Sequence, residues 1–419
     1  MHPASDTYRG STAIVVGGSI GGLTAALLLR DIGFDVDVYE RTPVPLHGRG
    51  GGIVLQPDTM RWFDERSDQD PASLFTSTSR VQYVDRQDGV VYEEEREWRY
   101  TSWGTFYRAL LADFGEEHYH LGSQAVRFSP GSTGEKARVA FANGTTREAD
   151  LVVFADGVGS IARPVFDPDA LSRYSGYVGW RGTVPVSALS AETRAAMSDA
   201  ITYDVMDRSH ITLYPIPGEE GVDADHQLMN YVWYRNVPAG GALTDLLTGQ
   251  NGYVGTLTVP PGLVREEHVA ELREVADRDL AAGPREVVLK TEQPYLQVVH
   301  DSRSARMALG RSALIGDAAC AARPHAAAGT AKAAADAWAL RDALLATPGD
   351  IVEALHRWEP AQLALSEALL ERVVEMGERS QQHGTWIPGD PELRFGLYGS
   401  GITTHPSPPD YSSALAATL

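Results

Sequence analysis

A short glycine-rich turn near the start of the chain carries residue types that suit the binding of a dinucleotide phosphate. The stretch IVVGGSIGGL, residues 14–23, places Gly17, Ser19 and Gly22 where glycine-rich fingerprints carry three glycines. Gly17 permits a sharp turn, and Gly22 lets a helix approach a strand closely. Ser19 departs from the pattern, but serine is small and its hydroxyl can donate to a phosphate oxygen. Glu40 follows at the distance where a carboxylate binds a ribose diol.

The elements around this turn follow the order of a dinucleotide-binding fold. Residues 13–16 predict a buried strand, residues 20–31 a helix, and residues 34–40 a second strand that ends on an acid. A Rossmann-like unit requires this order, and the N–H groups of its first helix face the pyrophosphate. We therefore interpret the turn as a nucleotide site rather than as a structural turn alone.

Later regions predict a second architecture. Short alternating segments rich in Tyr and Trp, between about residues 171 and 300, indicate a mostly antiparallel sheet that could enclose a small-molecule pocket. Residues 80–100 indicate hairpin strands of the same region. Residues 313–345 return to strand, loop and helix, and residues 350–382 continue as helix.

We therefore expect an α/β protein with two domains. A Rossmann-like domain that includes the C-terminal helices is assigned to residues 1–79, 103–170 and 301–419. The inserted, mostly antiparallel sheet domain is assigned to residues 80–102 and 171–300.

Composition argues against several other classes of protein. A net charge of −20 without a basic cluster disfavours nucleic acid and anionic membrane surfaces as partners. The single cysteine, Cys320, excludes an internal disulfide, a dithiol redox pair and a four-cysteine metal site. No apolar run suits export or membrane spanning. We predict a cytoplasmic protein that binds a small molecule and no metal.

Three separated motifs together resemble those of a known enzyme family. They are the glycine turn with Glu40, the stretch DGVGSIAR at 156–163, and the stretch GDAACAARPHAAAG at 316–329. In this order they resemble the class A flavoprotein aromatic hydroxylases, the family that includes para-hydroxybenzoate hydroxylase. The likeness covers nearly the whole chain and is greatest to members that act on dihydroxypyridines, which share YVGWRG, LYPIPG and IPGDP. Such members also resemble this chain in Ser19 and Lys332.

The resemblance implies the para-hydroxybenzoate hydroxylase type of fold, FAD as the bound cofactor, and NADH or NADPH as the reductant. It also implies which residues contact FAD. These are Gly17, Ser19, Gly22 and Glu40 at the pyrophosphate and ribose, Arg41 and Arg108 near the diphosphate, Asp156 and Gly157 in the motif shared with the nicotinamide cofactor, Gly316 and Asp317 at the ribityl chain, and Pro324, Ala327, Ala328 and Gly329 along the isoalloxazine ring.

The family scheme also implies a reaction. Molecular oxygen adds to the reduced flavin, and the C4a-hydroperoxide hydroxylates an electron-rich aromatic or N-heteroaromatic ring, phenolic or dihydroxypyridine-like. A group that removes the hydroxyl proton of the substrate would raise the electron density of the ring, and imidazole suits this by its pKa. His210 and Tyr214 lie four apart on one predicted strand and so share a face, and His325 lies in the flavin loop. For each residue, a structural hydrogen bond is the alternative role.

Other functions remain open on the sequence. A Baeyer–Villiger or epoxidising flavin monooxygenase with a larger natural-product substrate would use the same cofactor motifs, because the pocket sets the substrate. A flavin-binding sensor or a catalytically silent partner protein belongs to another class. The stretch GWRGTVP lacks the Trp-x-Trp-x-Ile-Pro signature of flavin halogenases. Family habit suggests a possible homodimer.

Overall fold

The structure is a computed structural model that describes residues 6–46, 51–87 and 89–397. Its strands are β1 (Thr12–Val16), β2 (Asp35–Tyr39), β3 (Gly52–Val54), β4 (Thr76–Val84), β5 (Val90–Ser102), β6 (Tyr119–His120), β7 (Ala125–Ser129), β8 (Ala137–Phe141), β9 (Thr146–Ala149), β10 (Leu151–Phe154), β11 (Leu171–Pro185), β12 (Ala200–Met206), β13 (Ser209–Ile216), β14 (Leu228–Asn236), β15 (Thr258–Val259), β16 (Tyr295–Arg303), β17 (Ala308–Leu309), β18 (Ser312–Leu314) and β19 (Cys320–Ala321). Its helices are α1 (Ile20–Asp31), α2 (Pro57–Glu65), α3 (Trp103–Phe114), α4 (Arg163–Phe166), α5 (Ala191–Met197), α6 (Gly241–Leu247), α7 (Glu266–Asp279), α8 (Ala282–Lys290), α9 (Gly329–Ala346) and α10 (Ile351–Glu378).

A six-stranded, mostly parallel sheet carries the nucleotide-binding order predicted from the sequence. Among the described residues its strands run β17-β18-β10-β1-β2-β6, and β1 pairs in parallel with both β2 and β10. The strands β1 and β10 are almost fully buried because helices cover the sheet, as expected for parallel strands of continuous apolar residues. The predicted α/β fold with a Rossmann-like domain is confirmed.

A ten-stranded sheet forms the second layer of the molecule. In the described part of the chain its main path is β15-β16-β11-β14-β13-β12-β4-β5-β3, and β19 pairs with β16. Its pairs are antiparallel except β12 with β4, so the prediction of a mostly antiparallel sheet is confirmed. The strand β3 and the first residues of β4 also join this sheet, although the sequence analysis assigned them to the other domain. The domain boundaries stay a prediction.

Two helices lie where the sequence pattern predicts strands. The helices α7 and α8 fall inside the region expected as sheet, and they cover its outer face. Leu272 and Ala276 of α7 are buried four positions apart, which is helical spacing that the overall Tyr- and Trp-rich texture of the region obscured. The helix α2 begins with Pro57 at its first position, where the fixed φ of proline suits the start of a helix.

The long C-terminal helices follow the predicted course. The helix α10 ends at Glu378 and a π-helical turn continues to His383, so residues 350–382 are helical as expected. The stretch after it packs inward through Leu393 and Phe395. Within the described ranges, no helix combines the length and apolarity that a membrane crossing requires.

A buried ion pair fixes the start of α9 to the turn before it. Lys332 Nζ lies 2.7 Å from Asp336 Oδ2, and the two side chains are only 1% and 0% exposed. The same carboxylate oxygen accepts a hydrogen bond from Gly316 N at 2.8 Å. Burial raises the pKa of Asp336, while the charge of Lys332 opposes this rise. The pair therefore holds α9 and the Gly316 turn together in the buried interior.

Breaking this pair should lower stability strongly. We expect Lys332→Met to lower the free energy of unfolding by about 3–5 kcal/mol, because it leaves the Asp336 charge buried without its cation. The double variant Lys332→Met/Asp336→Asn should recover about half of this loss, because an amide oxygen still accepts from Gly316 N. Urea unfolding of the holoenzyme measures both.

An exposed ion pair with the same helical spacing provides the control. Arg357 and Glu353 of α10 are four positions apart and 59% and 43% exposed, so Arg357→Met should change the free energy of unfolding by less than about 0.5 kcal/mol. Equal losses for Lys332→Met and Arg357→Met would contradict the role given to burial.

Candidate active site

The glycine turn between β1 and α1 has no room for a side chain at Gly17 or at Gly22. Gly17 adopts a φ of +103°, and a β-carbon there would lie 2.4 Å from Ala155 O. A β-carbon on Gly22 would lie 1.9 Å from Gly17 O. Ser19 is the N-cap of α1 but makes no side-chain capping bond. The serine hydroxyl and the first N–H groups of the helix therefore stay available to an anion.

A cavity of about 240 Å³ opens beside this turn. It brings together residues from the first two of the three sequence motifs. Those that the sequence analysis named are Gly17, Ser19, Glu40, Arg41, Asp156 and Gly157, and those that it missed include Thr42, Trp103, Ser123 and Gln124. We call this the first cavity.

Two carboxylates shape the first cavity. Glu40 accepts hydrogen bonds from Gly18 N at 3.0 Å and Thr42 N at 2.9 Å, which hold the side chain in place beside the turn. Asp156 Oδ2 accepts from Ile161 N at 2.9 Å, whereas its Oδ1 is buried and without a partner among the described residues. Burial raises the pKa of Asp156. An unpaired buried acceptor beside an open helix N-terminus suits the hydroxyls and diphosphate of FAD, so this cavity fits that part of the cofactor.

A second cavity of about 270 Å³ lies between the large sheet and the loop that precedes α9. Trp103 lines both cavities, so the two adjoin. Arg163 Nη1 donates to Asp317 O at 3.2 Å and so connects the second motif to the third. The residues named from the sequence that line the second cavity are His210, Tyr214, Asp317, Pro324, His325, Ala327, Ala328 and Gly329.

The loop before α9 exposes backbone to the second cavity. Ala327 has a φ of +50°, and its carbonyl accepts from Gln56 Nε2 at 2.7 Å. Gln56 Oε1 in turn accepts from Leu397 N at 2.7 Å, so the C-terminal stretch fastens the loop from outside. The helix α9 begins at Gly329 without a side-chain cap, which leaves its N–H groups free. A helix N-terminus of this kind suits the electron-rich pyrimidine edge of a flavin.

Polar side chains of the large sheet form the opposite wall. Arg181 lines the cavity, and its Nε is buried without a partner among the described residues. Asn230 Oδ1 accepts from Gly52 N at 2.8 Å and holds β3 against this wall. Tyr214 stacks on Tyr100 with ring centroids 4.5 Å apart. Burial raises the pKa of Tyr214 to about 12, against the effect of the Arg181 charge, so its phenol stays protonated.

Two histidines lie side by side at the far end of the second cavity. The rings of His210 and His325 are 5.4 Å apart, and both side chains are buried. His210 Nδ1 lies 2.5 Å from Ser380 Oγ, and burial lowers the pKa of His210 to about 3. His325 Nε2 lies 2.7 Å from the Tyr177 hydroxyl, and burial lowers the pKa of His325 well below its usual value. Both imidazoles are therefore neutral near pH 7.

Three residues that the resemblance named line neither cavity. Gly22 shapes the turn from behind, and Gly316 bonds Asp336. Arg108 Nη2 instead lies 3.4 Å from Thr105 Oγ1 on its own helix. The alternation of β11 explains why Trp180 enters the core while Arg181 faces the cavity. Trp103 begins the helix α3, and no pattern in the sequence indicated that it lines both cavities.

Comparison with known proteins agrees with this geometry. Residues 15–53 match the family model of an NAD(P)-binding Rossmann-like domain, and residues 174–301 match an FAD binding domain-like model. The chain is 38% identical over 95% of its length to 2,6-dihydroxypyridine 3-monooxygenase of Paenarthrobacter nicotinovorans, of which it covers 97%. It is 28% identical over 90% of its length to 3-amino-4-hydroxybenzoate 2-monooxygenase of Streptomyces cremeus, of which it covers 88%.

The solved structures agree as well. The structure of 2,6-dihydroxypyridine-3-hydroxylase from Arthrobacter nicotinovorans matches with a TM-score of 0.87 and 37% identity, over 95% of this chain and 98% of that one. The chain therefore belongs to the family of FAD-dependent aromatic monooxygenases. It is an FAD-dependent monooxygenase with NAD(P)H as the reductant, and the resemblance inferred from its motifs is confirmed.

The glycine turn should be the most sensitive point for cofactor retention. We expect Gly17→Ala to weaken FAD binding at least tenfold (about 1.4 kcal/mol), because the new β-carbon would meet Ala155 O. Flavin absorbance after gel filtration and titration of the apoprotein with FAD measure this loss. Gly241→Ala is the control, since a β-carbon there has nothing within 4 Å. Unchanged affinity in Gly17→Ala would contradict the assignment.

The buried His210 should make folding sensitive to acid. As the pH falls from 6.5 towards about 3, unfolded His210 binds a proton that the folded protein refuses, so stability is lost across this window. His210→Gln should reduce the pH slope of the unfolding free energy by up to about 1.4 kcal/mol per pH unit. Exposed His356→Gln is the control and should keep the parental slope. The same slope in both variants would count against a neutral, buried His210.

Proposed function

We propose that this monooxygenase hydroxylates a small N-heteroaromatic ring that carries hydroxyl groups, of the dihydroxypyridine kind. Support comes from the 38% identical relative, which is named for 2,6-dihydroxypyridine. The observation that carries the proposal is the polar character of the second cavity, where Arg181 Nε and His325 Nδ1 are both buried without partners among the described residues. Such atoms suit the oxygens and the ring nitrogen of a small polar heterocycle.

Each part of the two cavities has a proposed role towards FAD. Bound FAD supplies the oxygen-activating chemistry, and the protein supplies binding, orientation and electrostatics. We assign Ser19, Arg41 and the α1 N-terminus to the diphosphate, Glu40 to the ribose, Asp317 to the ribityl chain, Pro324, Ala327, Ala328 and Gly329 to the ring, and Asp156 and Gly157 to the motif shared by FAD and the nicotinamide cofactor. Gly22 and Gly316 act through the shape of their turns, and a place for Arg108 near the diphosphate rests on the resemblance alone.

The substrate would lie against the wall formed by the large sheet. His210, Tyr214 and His325 are proposed to contact its oxygens, and Arg181 to hold the opposite edge. The tyrosine rings around the cavity exclude water, which protects the oxygen chemistry from unproductive release of peroxide. We also propose a cytoplasmic location, since the single Cys320 suits a reducing compartment, and assembly as a homodimer.

A panel of aromatic compounds tests the substrate class. We expect 2,6-dihydroxypyridine to stimulate NADH or NADPH oxidation and oxygen uptake by the holoenzyme at least tenfold, because its oxygens match the donors of the second cavity. Salicylate and 3-amino-4-hydroxybenzoate should stimulate NAD(P)H oxidation much less, because the cavity would have to hold their carboxylate in addition to the hydroxyl oxygen. Mass analysis should find one added oxygen atom in the product.

The same assay can overturn the proposal. Conversion of a bulky ketone to an ester, or of an alkene to an epoxide, with no turnover of hydroxylated rings would replace it with the Baeyer–Villiger or epoxidising alternative. A holoenzyme that reduces its flavin but oxidises no aromatic compound would contradict the substrate class while leaving the cofactor assignment intact.

A further inference from the structure

His210 and His325 each have one ring nitrogen engaged by a protein side chain. His210 is held through Nδ1 by Ser380, and His325 is held through Nε2 by Tyr177. Both residues line the second cavity, and His325 Nδ1 is buried without a partner among the described residues. A neutral imidazole carries its proton on one nitrogen only, so the partner of the engaged nitrogen decides what the other nitrogen offers to a ligand.

The partner of His325 is fixed as a hydrogen-bond donor. The Tyr177 hydroxyl oxygen and Arg323 Nη1 both lie next to Gly377, and the Arg323 guanidinium acts to lower the pKa of Tyr177, which burial raises. The guanidinium has hydrogen-bond donors only, so a lone pair of the Tyr177 oxygen faces it and the hydroxyl proton points away from it. The hydroxyl proton of Tyr177 then points to His325 Nε2, its one hydrogen-bond acceptor among the described residues. His325 must carry its own proton on Nδ1.

The same reasoning applies to His210. Gln381 Nε2 donates to Ser380 Oγ at 2.7 Å, so the serine oxygen already accepts one hydrogen bond. Its single proton has His210 Nδ1 as the only acceptor within reach in the described part of the chain, at 2.5 Å. Nδ1 therefore accepts, and His210 carries its proton on Nε2.

We propose that His210 and His325 are fixed as neutral N–H donors that bind an ionised hydroxyl oxygen of the aromatic substrate, with Tyr177, Arg323 and Ser380 as the residues that set their tautomers. The proposal rests on the proposed function, because it takes a hydroxylated ring as the ligand. It differs from a role as proton acceptor, since an imidazole that presents N–H has no lone pair towards the ligand.

The surroundings of the pair favour this state over a protonated one. The groups packed against the two rings are Tyr177, Tyr203, Tyr234, Trp386 and the cation Arg323, which is itself paired with Asp301. Burial and the Arg323 charge lower the pKa of His325, and burial lowers that of His210. Hydrogen bonds to an ionised oxygen are about twice as strong as neutral ones, so donors in this dry site favour the anion of the ligand. The ionised ring is also the more electron-rich one.

Nitrogen-15 spectra of histidine-labelled holoenzyme test the tautomers directly. We expect His325 as the Nδ1–H form and His210 as the Nε2–H form, with both neutral between about pH 6 and about pH 8. The spectra of His325→Gln and His210→Gln assign the signals. An Nε2–H form of His325, an Nδ1–H form of His210, or protonation of either ring in this range would overturn the proposal.

Removal of the Tyr177 hydroxyl tests its positioning role. Tyr177→Phe should change the tautomer ratio of His325 at least fivefold towards Nε2–H, because the donor to Nε2 is gone. Tyr174→Phe is the matched control on the same strand, since its hydroxyl donates to Val237 O instead. An unchanged ratio in Tyr177→Phe would show that Tyr177 does not set the tautomer.

Paired substitutions separate a donor from a base. At position 325, glutamine keeps an N–H donor without basicity, and leucine removes both. We expect kcat/KM for 2,6-dihydroxypyridine to fall less than tenfold in His325→Gln and about 100-fold or more in His325→Leu. Equal losses in the two variants would identify a base and overturn the proposal. If the parent enzyme does not turn over this compound, the proposed function fails, and the tautomer measurement still decides the present inference.

Discussion

A single buried ion pair connects the parts of the molecule that form the second cavity. Arg323 Nη2 and Nε lie 2.7 Å and 2.9 Å from the carboxylate oxygens of Asp301, and both side chains are at most 6% exposed. Asp301 belongs to β16 of the large sheet, whereas Arg323 opens the loop before α9. Arg323 Nη1 also donates to Val374 O of α10 at 3.3 Å. Sheet, loop and C-terminal helix thus meet at one guanidinium.

This buried ion pair stabilises the fold and also influences the direction of a hydrogen bond in the second cavity. Loss of either partner would leave a charge in a dry interior, which costs about 3–5 kcal/mol, so the geometry of the loop tolerates little variation. The same cation lies beside Tyr177 and so fixes the direction of a hydrogen bond that ends at His325. A constraint that begins as stabilisation of the fold therefore sets which atom the cavity offers to a ligand.

The glycine turn of the first cavity could be predicted from the sequence because its conformation depends on local sterics. Gly17 and Gly22 are required wherever a strand turns tightly into a helix, and the predicted bounds of α1, residues 20–31, match the structure. The wall of the second cavity could not be read in the same way. Arg181 of β11 and Trp103 of α3 line the cavity, and Asn230 of β14 holds β3 against it, so the pairing of the large sheet is needed to bring these distant residues together.

The helices of the large-sheet region show a different limit of prediction from sequence. Residues 266–290 form α7 and α8, although the surrounding segments alternate as strands, because their apolar residues follow helical spacing over a short window. The proposed tautomers of His210 and His325 could not be predicted from the sequence either. That of His210 depends on Ser380, 170 positions away, and that of His325 depends on Tyr177, 148 positions away. Histidine spacing alone suggested a base, whereas the proposed donor role depends on these distant partners.

The bond between Gln56 and Leu397 has a consequence for how the protein is made. These residues are 341 positions apart, and Gln56 also holds the carbonyl of Ala327. During synthesis the glycine turn emerges first, whereas the hydrogen bond from Leu397 to Gln56 can form only after nearly 400 residues have left the ribosome. Contacts of such long range slow folding, so the loop before α9 gains its outer support late.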